Sequence, residues 1–190
     1  EAIHLWKPRY FFFVGVAGSL SDLTKGDVII ADIIHGYEYG KIDDKGFLPR
    51  DNWTFPTDGG LFTGAIAYAL RTDWHRLIKL TPPIVCNSNT ITGEVASGDK
   101  VVDDPTDSFF NKVLLAYPKV KAVEMEGAGA GEAIEQAHAH GKAIGFMMIR
   151  GISDLPRQME DNDEKRGTQE RDDWKPYAAD AAAAFAIGYI

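Results

Sequence analysis

Apolar residues along this chain gather in short runs separated by polar, glycine-bearing segments. Residues 10–18, YFFFVGVAG, are too short a run for a globular helix and are rich in aromatic and β-branched side chains, so they predict a buried strand ending in glycines. Polar residues lead to the turn signal Lys25–Gly26–Asp27, and 28–34 predicts a second buried strand. His35, Tyr37 and Tyr39 continue it as an aromatic-rich loop or a twisted extension. Residues 41–60 mix Gly, Pro, Asp and Asn with isolated Phe47, Trp53 and Phe55 and predict a long loop. Over 61–78, Leu61, Ala65, Tyr68, Ala69 and Leu70, continued by Leu77 and Ile78, recur at helical spacing, and Pro82 and Pro83 block extension. Residues 84–102 carry ITGEVASGDKVV and predict a strand, a turn and a short strand. A short helix is expected over 107–117, bounded by Pro105 and Pro118.

The segment 119–155 organises the rest. An apolar stretch, 120–123, runs into Glu124–Met125–Glu126. A run of small residues closes at Gly141, and a second apolar stretch, 143–149, leads into Arg150–Gly151–Ile152–Ser153–Asp154. This predicts strand, helix over 127–140, and strand, with charges at both strand ends. Gly127, Gly129 and Gly131 each cost about 1 kcal/mol relative to Ala inside a helix. They imply close packing, against the sheet or a ligand, or a fit beneath bulky strand residues. Residues 156–172 are highly charged and predict a mobile loop, and the alanine-rich tract from 177 predicts a closing helix led by Trp174. Alternating strands and helices predict an α/β sandwich. Ligands in open α/β sheets bind at the carboxyl ends of strands, which gathers Glu126, Arg150 and Asp154 into one site.

Bulk properties narrow the function. With 190 residues, 45% of them hydrophobic, the chain can build one core, and residues 1–190 are expected to form a single domain. A formal net charge of −8 argues against a nucleic-acid groove, though not against a local anion pocket. The single cysteine, Cys86, permits no internal disulfide and reads as a small hydrophobe; a reducing, cytoplasmic setting is expected. No apolar run reaches about 18 residues, so no membrane helix is expected, and residues 1–9 lack the apolar core of a signal peptide. The chain enters its first strand within ten residues, as a compact domain or as a fragment lacking its front.

Three groups could do chemistry. Glu124 and Glu126, two apart, would share a face of a strand, where carboxylates bind a hydroxyl pair, a cation or an arginine, unless a helix start breaks that parity. Glu126 could instead be a simple helix N-terminal charge held by free backbone N–H groups. Asp154 could be a general acid, or the N-cap of a following helix. Arg150 abuts a buried strand and needs Glu124, Glu126, Asp154 or an anionic ligand as partner. His138 and His140, two apart on a helix, do not share a face, and no metal site is expected.

The motifs VEMEGAG and IRGISD, preceded by VGVAG and ASGDKVV, resemble the nucleoside phosphorylase and nucleosidase superfamily, most nearly its 5′-methylthioadenosine/S-adenosylhomocysteine nucleosidase branch. The resemblance implies a three-layer α/β sandwich with a central mixed sheet. It implies that Glu126 binds the ribose 2′- and 3′-hydroxyls beside Glu124, and that Met125 packs on the sugar. By the same resemblance, Asp154 protonates the purine five-membered ring with Ser153 orienting it, and Arg150 lies near the nucleophile. Val101 and Val102, with the backbone from Lys100, would meet the base, and Val16, Ala17 and Gly18 the sugar and nucleophile. No cofactor is implied. Phosphorylases of the hexameric purine type carry Arg and Ser where Phe13 and Val16 stand, so the resemblance favours water over phosphate as nucleophile. Val101 stands where these nucleosidases stack an aromatic ring, which leaves the substrate open between a purine nucleoside and a nucleotide. The N-terminal strand with its water-activating glutamate has no counterpart before Tyr10. A homo-oligomer, a dimer, is expected, in which the 35–39 segment is an aromatic satellite core, a dimer contact or a reach into the neighbour's site. Such domains also occur fused to signalling and defence modules, so a non-catalytic sensor is the rival reading.

Overall fold

The computed structural model describes residues 2–190 apart from 22, 45, 51, 72, 101–107 and 156–163. Its elements run α1 (Ala2–Trp6), β1 (Tyr10–Ser19), β2 (Val28–Gly36), β3 (Gly40–Asp43), β4 (Gly46–Pro49), β5 (Thr54–Pro56) and α2 (Gly59–Ala69). They continue with β6 (Thr90–Ser97), α3 (Ser108–Ala116), β7 (Val120–Glu124), α4 (Gly127–Ala139), β8 (Gly145–Asp154) and α5 (Glu164–Tyr189).

Six strands form a mixed sheet in the order β5-β2-β6-β7-β1-β8, and β8 also pairs back onto β2. The sheet therefore curls on itself. β1 and β8 run parallel, as do β2, β6 and β7, whereas β1–β7 and β2–β8 are antiparallel.

Alternation along the strands builds two apolar layers. Phe11, Phe13, Ile29, Ala31, Phe146 and Met148 face one side, where Ala128, Ile134 and Ala137 of α4 complete the packing. Phe12, Val14, Val28, Ile30, Met147 and Ile149 face the other, against Ala65 of α2, Trp74, and Ala181, Ala182 and Phe185 of α5. Each large side chain fully buried there contributes about 1.5–3 kcal/mol. The result is an α/β sandwich with a central mixed sheet between helices. α5 lies so close to β8 that a side chain on Gly151 would collide with the backbone carbonyl of Ala178.

Three expectations are corrected and one falls outside the described residues. The segment 41–60 is not a long loop: β3 and β4 pair as a hairpin and β5 adds to the edge of β2. The helix expected over 61–78 ends at Ala69, and Asp73–Leu77 forms a separate 3-10 turn. Over 84–102, Thr90–Ser97 is the first expected strand, and the short second one falls on Val101 and Val102, outside the described residues. Of the stretch expected to be a mobile loop, Glu164 onward is the first part of α5, which runs through Pro176 although proline cannot donate to the carbonyl four residues back.

His35 and Tyr37 belong to a third cluster and are core. His35 stacks on Tyr117 with ring centroids 4.3 Å apart, and its Nε2 lies 2.9 Å from Glu94. Tyr39 is exposed. Tyr37 is fully buried, and burial, then the charges of Glu38, Asp99 and Glu124, push its phenol up to about 12. The neutral phenol is thus favoured by the fold, while an unfolded tyrosine ionises from about pH 10. Stability from this group is complete below pH 10 and is lost as pH rises through 12. Tyr37→Phe should escape that loss, gaining about 2–3 kcal/mol on the parent chain between pH 9 and 12 in chemical unfolding. A difference that stays flat over that range refutes the assignment.

Candidate functional site

The carboxyl ends of β1, β7 and β8 meet at one cavity of about 250 Å³. Its lining includes Val16, Ala17 and Gly18 from β1, Glu124, Met125 and Glu126 after β7, and Ser153 and Asp154 from β8. Pairing sets this convergence: Gly18 lies opposite Val123 on one side and Asp154 on the other. The β1–β8 register slips between Ala17 and Gly18, so that Ser153 is skipped and Asp154 stands beside Gly18.

Arg150 is not at a strand end, as its sequence position suggested. It sits inside β8 opposite Gly15, on the face of Phe146 and Met148, and is 3% exposed. Its guanidinium lies over the Phe13 ring, 4.3 Å from the centroid, and a side chain at Gly15 would overlap it. Arg150 Nη2 bonds Glu124 Oε2 and lies 3.5 Å from Glu126 Oε2. A buried guanidinium is tolerable only with such partners.

The two glutamates differ, which strand parity had not foreseen. β7 ends at Glu124, and the chain turns directly into α4. The Glu124 side chain is 1% exposed and accepts hydrogen bonds from the N–H groups of Gly127, at 2.9 and 3.0 Å, and Glu126, at 3.1 Å. Ser97 Oγ, at the end of β6, accepts from Ala128 N at 2.8 Å. The N–H groups of Glu126, Gly127 and Ala128 at the start of α4 are therefore met by Glu124 and Ser97. Glu126 occupies the cap position but makes no side-chain cap bond; its side chain is 64% exposed and turned toward the cavity rim. The α4 glycines divide accordingly: side chains at Gly127 and Gly131 would strike Glu124 and Phe55, while Gly129 faces open space.

Asp154 ends its strand, and Leu155 after it is not helical, so Asp154 is not a helix N-cap. Ser153 Oγ donates to Asp154 Oδ1 at 2.7 Å, and Arg171 Nε lies 3.5 Å from Oδ2. Arg171 and Lys175 of α5 line the cavity with Lys100, whose ammonium pairs with Glu38. Sequence reasoning missed Arg171, Lys175 and Ser97, and of Lys100 it named only the backbone. Arg171 and Lys175 stand four apart, the spacing of one helix face, but only once 164–175 is known to be helical does that spacing mean anything. Val101 and Val102 lie outside the described residues. Elsewhere, His138 Nε2 and His140 Nδ1 meet the carbonyls of Ile144 and Gln136, and Cys86 is half-buried.

The arrangement offers an exposed carboxylate beside a buried guanidinium, and 3.5 Å or so around Asp154 a hydroxyl and a second guanidinium. Such a set can bind vicinal hydroxyls at one end and place an acid at the other.

Known proteins share this frame. A 5′-methylthioadenosine/S-adenosylhomocysteine nucleosidase of Desulfotalea psychrophila is 27% identical over 169 residues, covering 83% of this chain and 60% of that protein. The chain thus spans about 60% of that relative's length. The nucleosidase of Neisseria meningitidis in complex with methylthio-immucillin-A superposes with a TM-score of 0.67 at 21% identity, over 99% of this chain and 71% of the other. Futalosine hydrolase of Helicobacter pylori gives 0.67 at 25%, over 99% and 70%. Residues 1–190 match the sequence profile of the Phosphorylase superfamily, and the chain belongs to that family.

Proposed function

We propose that this chain carries the site for hydrolysis of the N-glycosidic bond of a purine nucleoside or nucleoside derivative, releasing the free base and the ribose moiety. The observation that carries the reading is Glu126 and Ser153–Asp154 lining one cavity, with Arg150 beneath it. The similarity to nucleosidases and futalosine hydrolase supports it.

As the glycosidic bond breaks, the electron pair leaves with the base and the ribose becomes oxocarbenium-like. Asp154, oriented by the Ser153 hydroxyl, supplies a proton to the departing purine. Glu126 accepts hydrogen bonds from the ribose hydroxyls and lies near the developing positive charge. Arg150 fixes Glu126 from below, and Glu124 fixes Arg150. Met125 and the Val16–Ala17–Gly18 backbone supply the sugar-facing wall. Water is the favoured nucleophile, because Phe13 and Val16 offer no bond to phosphate. The reading includes a homo-oligomer acting on a small-molecule substrate in a reducing cytoplasmic setting.

The test is product chromatography after incubation with adenosine, methylthioadenosine, inosine and ATP, with and without phosphate. Free base and a free sugar without phosphate are expected. Strict dependence on phosphate would establish a phosphorylase instead. Saturable binding with no base from any substrate would establish a sensor.

A further inference from the structure

We infer that the cavity is built for a purine nucleoside bearing phosphate, with Arg171 and Lys175 of α5 holding the anionic group; this rests on the glycosidic reading above for the nucleoside part. The chain carries a net charge of −8, yet Lys100, Arg171 and Lys175 converge on one cavity of about 250 Å³. An uncharged nucleoside presents hydroxyls and a neutral base, which Glu126, Asp154 and backbone groups address without any cation. Three cations lining one cavity match a multiply charged anion better than a single carboxylate.

α5 holds its two cations firmly. Trp174 and Tyr177 are buried and meet edge to face, with ring centroids 6.0 Å apart, and Gly26 in the turn before β2 lies against both. Four-residue spacing then turns Arg171 and Lys175 together toward the ends of β1 and β8. Arg171 is half-buried, where guanidinium–phosphate bonds are strong and directional, and Lys175 is exposed and forms no ion pair with any described residue. Lys100 reaches the same space while tied to Glu38. Arg171 also faces Asp154 Oδ2 at 3.5 Å. A phosphate that draws the guanidinium to itself takes a positive charge away from the group proposed to hold a proton. Arg171 is thereby a specificity-determining residue, coupling the substrate's charge to the acid.

Equilibrium binding of formycin and its 5′-mono- and triphosphate tests this, because their carbon-linked base cannot be released. The monophosphate should bind about tenfold or more tighter than formycin at low salt, and the triphosphate tighter again. That advantage should shrink in Arg171→Gln, in Lys175→Gln and at high salt, with Arg171→Lys retaining part of it. Formycin binding as tightly as its phosphates, or an advantage that survives both glutamine substitutions, overturns the inference. If the phosphate advantage stands but the parent chain releases no base from adenosine, AMP or ATP, the anion site stands and the glycosidic reading falls.

Discussion

Replacing Asp154 with Asn should reduce base release by about 10²–10⁴-fold, the usual contribution of a positioned general acid. The substitution keeps size and shape, and an Asn oxygen can still accept the 2.7 Å hydrogen bond from Ser153 Oγ. What it lacks is a proton that can pass to a leaving purine, so the base departs with its charge uncompensated. Because Asp154 lies at the cavity and not in either apolar layer, the fold should be retained, with a thermal midpoint close to the parent's. Ser153→Ala should lose less, since it disturbs the orientation of the acid and leaves the acid in place. The assay is base release by chromatography beside circular dichroism of each variant. Parent-like turnover by Asp154→Asn would falsify the acid role.

Glu124→Ala should act on stability first, by about 3–5 kcal/mol, the cost of stripping one partner from a buried ion pair. Arg150 and Glu124 side chains are 3% and 1% exposed, and without Glu124 the buried guanidinium would keep only the exposed Glu126, 3.5 Å away. The same change frees the N–H groups of Gly127 and Glu126 at the start of α4. For a chain of this size that loss corresponds to a fall of about 10 °C in thermal midpoint. Activity should fall with it, because Arg150 also lies 3.5 Å from Glu126. Glu124→Gln, which retains an acceptor for the helix N–H groups, should be milder. A double-variant cycle with Arg150→Met isolates the pair, and additive losses would show that the two side chains do not act as a unit.

Much of the architecture was legible in the order of residues. The runs 10–18, 28–34, 120–123 and 143–149 are apolar because their strands are covered on both faces, and such runs declare themselves without a partner in view. VEMEGAG and IRGISD named the family for the same reason that they meet in space: both lie at the carboxyl ends of strands, where the sheet presents side chains to a ligand. The β3–β4 hairpin was not legible, because its strands are only four residues long, each begins with glycine, and they gain their order from pairing with each other. The early turns of α5 were not legible either: a run of charges along one solvated helix looks the same as a loop until something fixes which face is buried, and here Trp174 and Tyr177 do.

By itself, then, the sequence determined the strand–helix alternation and the family, and put Glu126, Arg150, Ser153 and Asp154 forward for one site; of these, Glu126, Ser153 and Asp154 line one cavity. Tertiary structure decided which of two glutamates is buried and which is free, because that depends on the point where β7 gives way to α4. It also decided that Arg150 lies beneath the site in mid-strand and that Arg171 and Lys175 reach the same cavity from α5. Those positions follow from register and from helix docking, which long-range packing sets and local pattern does not encode.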